Sequence, residues 1–146
     1  MTGAASIATL LGFPAVLALL AWRGKRRLQP PVVPLSVRAS AVLAALYLPF
    51  GWLVFFRETA SVKAELLGML PIFPGLIPVS LLVAGLRLGR PPEPIGDWLA
   101  AACVLLLFGV AVGVMGRGWK TAIAVGILLA GASAFASFIA YQLVRM

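Results

Sequence analysis

Five long apolar runs restrict what this chain can become. They cover residues 4–22, 37–56, 66–88, 97–115 and 121–144, each near the roughly 20 residues a helix needs to cross a bilayer at about 1.5 Å per residue. Inside hydrocarbon every backbone N–H and C=O must be satisfied within the protein, so apolar runs of this length fold as helices. The composition agrees: 62% of the 146 residues are hydrophobic and 11% are charged, a balance that ordinary soluble domains do not have. The expected fold is all-α, a polytopic membrane bundle of about five helices, with four as the alternative. The longest polar connection, Arg23 to about Ser36, is too short for a soluble domain, so the chain reads as a single integral membrane domain.

Orientation follows from the basic turn. Arg23, Lys25, Arg26 and Arg27 stand within five residues at the end of the first run. Such a cluster resists translocation and stays cytoplasmic. The amino-terminal run has its charges after it and none before, the reverse of a cleavable signal, so it reads as a retained helix with its amino end outside. Five alternating crossings then place Arg38, Arg87, Arg90 and Arg145 inside with the basic turn, and Arg57, Lys63, Arg117 and Lys120 outside, eight cations against four. The carboxyl terminus falls in the cytoplasm. The absence of organelle signals and the compact size suggest the prokaryotic plasma (inner) membrane. Trp22, Trp52, Trp98, Trp119 and Tyr141 lie near expected helix ends, where an interfacial aromatic belt belongs.

Local signals refine the boundaries. Gln29–Pro34 reads as extended chain because each proline disfavours helix in the residue before it. Residues 59–70 place Val62, Leu66, Met69 and Leu70 on one face, the pattern of a short helix in the outer interface, after which the third span would start near Pro71. Asp97 reads as the N-cap of the fourth helix. Only Gly116–Lys120 separates the last two runs, which makes them antiparallel neighbours.

Chemistry is sparsely supplied. There is no histidine, hence no imidazole base and no histidine-held metal or haem. Of the four acids, Glu58, Glu65 and Glu93 lie between spans and Asp97 stands at the very start of the fourth, so no intramembrane proton relay is visible. Glu93 and Asp97 are four apart but enclose Pro94 and Gly96, which argues against a helical pair. Cys103 is a lone thiol within an apolar run and reads as a small hydrophobe. No catalytic residue, cofactor or metal is expected, and a lipid-modifying enzyme is a distant third reading.

Three features carry positional meaning. Pro14, Pro49 and Pro78 each sit near the middle of a span, where a proline removes a donor and bends the helix. With Pro71 and Pro74 added, the third run reads either as a broken helix lining a solute site or as an irregular helix start plus one kink. The last run aligns Gly126, Ala130, Ser133, Ser137 and Tyr141 on one face, and the fourth has Gly109 and Gly113 in a small-xxx-small pair, suited to close helix approach. Gly109, Gly113, Gly126 and Ala130 are the expected packing positions; Ser133, Ser137 and Tyr141 form a possible polar face.

The net charge of +8 is spread between apolar runs and forms no nucleic-acid face; topology and anionic lipid head groups account for it. The expected partners are the bilayer and its anionic head groups, with other membrane subunits or further copies of the chain. The function expected on these grounds is a small non-catalytic accessory, structural or assembly subunit of a larger membrane complex. The alternative is an oligomeric transporter or channel for a small solute.

Overall fold

A computed structural model describes residues 2–26, 32–55, 67, 70–87, 89 and 92–145. The described chain is all-helical, with five α-helices: α1 Thr2–Lys25, α2 Leu35–Phe55, α3 Phe73–Gly85, α4 Glu93–Met115 and α5 Trp119–Arg145. A single 3-10 turn, Leu70–Ile72, precedes α3. Among the described residues three helices are long and apolar enough to cross a membrane: α1, α4 and α5. This is the architecture of an integral membrane protein. Residues 1, 27–31, 56–66, 68, 69, 88, 90, 91 and 146 lie outside the described residues; the expected interfacial helix over 59–70 falls mostly there, as does half of the expected extended stretch 29–34.

The helices tolerate their prolines in different ways. Pro14 and Pro49 lie inside α1 and α2, and both helices run on past them. Pro74 occupies the first turn of α3, where the missing N–H has no intrahelical partner to lose. Pro78 lies inside the same helix. α3 is only 13 residues long, about 20 Å at the helical rise. It is much shorter than the apolar run that contains it, because Pro71 and Pro74 delay its start and the turn at Leu86–Arg87 ends it.

The start of α4 corrects two expectations. Asp97 is not an N-cap: the helix begins four residues earlier at Glu93 behind Pro92, whose carbonyl accepts from Ile95 and Gly96 N–H at 3.0 and 3.1 Å. Glu93 and Asp97 therefore stand four apart on one helix, despite Pro94 and Gly96 between them. Pro94 falls in the first turn, where it is harmless, and acids there favour the positive end of the helix dipole.

Direction is legible from paired contacts. Ala5 clusters with Ala100 and Ala101, a Cβ on Gly12 would meet Leu105, Phe13 packs edge-on to Phe108 at 4.9 Å, and Val16 approaches Gly109. Both numbers climb together, so α1 and α4 are parallel. Five alternating crossings would make them antiparallel. α2 runs the opposite way, with Arg38 at the carboxyl end of α4 and Tyr47 beside Phe13. The core between these three helices holds Phe13, Val42, Leu46, Val104, Phe108 and Val112. After the turn at Gly116–Gly118, α5 returns and makes its most extensive packing with α2, more than with its sequence neighbour α4.

Candidate functional site

The entry to α3 is the least regular described part of the bundle, and two other helices fix it. In a 3-10 turn the carbonyl of residue i accepts from residue i+3; for Pro71 that residue is Pro74, which has no N–H. The Tyr47 hydroxyl donates to the Pro71 carbonyl at 2.7 Å. Phe50, nearly one turn further along α2, stacks on Phe73 at 5.8 Å with rings 3° apart. On the other side, Gly75 lies so close to α4 that a Cβ there would overlap the Ala100 carbonyl and stand 2.9 Å from Val104. The prolines thus sit in a clamp between α2 and α4. Tyr47 carries no expectation from the sequence; its signal is a phenol deep in an apolar run, where a buried hydroxyl needs a partner.

A second clamp holds the opposite end of α2. Arg38 is only 7% exposed, and its Nη1 donates to the Val112 carbonyl at 2.7 Å. Val112 is among the last four residues of α4, whose carbonyls have no intrahelical donor. A cation there also faces the negative end of the helix dipole. Gly116 makes room for it: a Cβ at that position would stand 2.6 Å from Nη1. Arg38 is therefore a buried tie between α2 and α4, whereas it reads in the sequence as one of the cytoplasmic-side cations at the start of the second run. Arg23, Lys25 and Arg26 remain exposed, with the Arg26 guanidinium 4.1 Å from the Trp22 ring centre. Trp22, Trp98 and Trp119 are each more than half exposed near a helix end.

The polar face of α5 is turned into the protein. Ser133 and Ser137 are buried, and Ser137 Oγ donates to the Ala134 carbonyl at 3.0 Å; Tyr141 is half-buried. The small residues do not share one interface. Gly109 faces Val16 of α1 at 3.4 Å and Gly126 faces the Met115 methyl at 3.5 Å, measured from a built Cβ, while nothing lies within 4 Å at Gly113. Ala130 is half-buried.

Several polar side chains among the described residues donate to backbone carbonyls. Thr9 donates to Ala5 O at 2.9 Å, Ser80 to Leu76 O at 2.7 Å, and Arg38, Tyr47 and Ser137 each also donate to a backbone carbonyl. Among the described residues no three or more of His, Cys, Asp and Glu gather as a metal site would require. No family model, no curated protein and no solved structure matches the chain.

Proposed function

We propose that this chain is a non-catalytic accessory or assembly subunit of a larger complex in the prokaryotic plasma membrane. The observation that carries the reading is the use of polar side chains as internal ties. Arg38 and Tyr47, the groups best placed to do chemistry, each donate to the backbone of another segment. Gly113 supports an intermolecular role, because it presents a smooth, unoccupied position on α4. Mild-detergent purification from the host followed by native mass spectrometry tests the reading. Larger, different subunits at fixed stoichiometry are expected. Gly113→Leu should release them without unfolding the chain, since a Cβ there has nothing within 4 Å. A lone monomer, or association indifferent to Gly113→Leu, would sink the proposal.

The chain crosses four times, with α3 entering and leaving by the same face. Support comes from the parallel α1 and α4 with α2 running opposite: the chain leaves α2 and enters α4 at one end of the bundle, so the crossings between them are even in number. A helix of about 20 Å is also short for a hydrocarbon core of about 30 Å. The charges fit this arrangement. Among the described residues, Arg23, Lys25, Arg26, Arg38, Arg117 and Lys120 gather at one end, and Arg87, Glu93, Asp97 and Arg145 at the other; the excess of cations makes the first end cytoplasmic.

A second reading, an oligomeric transporter for a small solute, draws on the same short α3 and its broken start. Flux in liposomes that is unchanged by Pro74→Ala and Pro78→Ala would remove it.

A further inference from the structure

A groove of about 610 Å³ lies between α3 and α4. It is lined by Pro78 and Leu82 of α3, by Leu99, Ala102, Cys103 and Val110 of α4, and by Gly89. We propose that this groove holds one acyl chain of an anionic phospholipid, with Arg87 meeting the lipid phosphate.

Length selects the occupant. From Leu99 to Val110 the α4 wall runs about 16 Å at the helical rise, half of a hydrocarbon core about 30 Å thick. A single leaflet's acyl chain matches that depth. A partner's spanning helix would need a face twice as long, and α3, with 13 residues, does not offer one. The volume falls within the range of about 300–1,000 Å³ typical of ligand sites.

Charge selects the head group. Arg87 is exposed and lies two residues before Gly89. It is also the one described non-glycine residue with positive φ, 51°, so the turn leaving α3 takes a left-handed conformation that an L side chain seldom adopts. Its amide donates to Ala84 O at 3.2 Å, which ties that turn back onto the helix. A long arginine stem can lie along the apolar wall with its head group at the lipid phosphate, and among the described residues no carboxylate lines the groove. The proposal requires α4 to span the bilayer and is independent of the accessory role.

The test is native mass spectrometry of the full chain in detergent, titrated with phosphatidylglycerol and, separately, phosphatidylcholine. Wild type should retain one phosphatidylglycerol in preference to phosphatidylcholine. Ala102→Trp, which fills the groove, should weaken that lipid about tenfold or more, the equivalent of two buried methylenes. Arg87→Gln should cost about fivefold for phosphatidylglycerol alone, one surface cation's worth. Ala102→Leu carries the same test with less bulk should the tryptophan variant fail to fold. Equal retention of the two lipids by wild type would overturn the proposal, as would a folded groove-filling variant that binds within twofold of wild type. A protein chain displaced by Ala102→Trp in place of lipid would overturn it too.

Discussion

An alanine methyl at position 75 has no room, because the Ala100 carbonyl already occupies its place. Gly75→Ala must therefore part α3 from α4, an overpacking that costs about 1–3 kcal/mol. Thermal unfolding in detergent should show a clear fall in midpoint. Gly113→Ala is the matched control: with open space around it, the change should be neutral or stabilise by up to about 1 kcal/mol from helix propensity. Equal behaviour of the two variants would refute the close approach at Gly75. The difference between these glycines cannot be read in the chain. Gly109 and Gly113 form the recognisable small-residue pair, whereas Gly75, which makes the tight contact, sits among prolines and reads as part of a helix break. Arg38 is the same lesson in charge. One-dimensional counting makes it a cytoplasmic-side cation at the start of the second run, and only the Val112 carbonyl, with the space left at Gly116, makes it a buried tie.

At the scale of elements, the entry of α3 depends on a hydroxyl from another helix. Tyr47→Phe removes the donor to Pro71 and leaves that carbonyl without it in an apolar setting, while keeping the ring against Phe13. Interhelical hydrogen bonds in membranes are worth about 0.6 kcal/mol on average and up to about 1.7. The expected outcome is local: faster amide exchange at Ile72, Phe73 and Gly75, with α4 unchanged. Exchange equally fast throughout, or altered nowhere, would contradict the clamp. Helix existence was legible from apolar runs alone, since only helices satisfy backbone groups in lipid. Helix limits were less so. Asp97 resembles a cap, but Pro92 and Pro94 open α4 a turn earlier. The apolar run across residues 66–88 looks long enough to span, but its prolines and the turn at Arg87 confine α3 to 13 residues.

For the whole molecule the deciding quantity is direction, which hydropathy does not encode. A run of apolar residues is the same read upward or downward, so alternation is an assumption, and one short helix that turns back reverses every assignment after it. Side chains supply the missing sign: Gly12 with Leu105 and Val16 with Gly109 make α1 and α4 parallel. If α3 does not cross, the ends of α1 and α5 come to the same face, opposite the turn at Gly118. In a Cys103→Ala background, single cysteines at Gly3, Gly118 and Gln142 can be labelled in intact cells with a membrane-impermeant maleimide. Four crossings predict that positions 3 and 142 react together and that 118 is protected until the membrane is opened. Five alternating crossings predict that positions 3 and 118 react and that 142 is protected. Joint labelling of 3 and 142 would leave α3 as a segment held inside one leaflet, clamped at its start by Tyr47 and Gly75. Separate labelling would require α1 and α4 to abandon the register in which Phe13 meets Phe108.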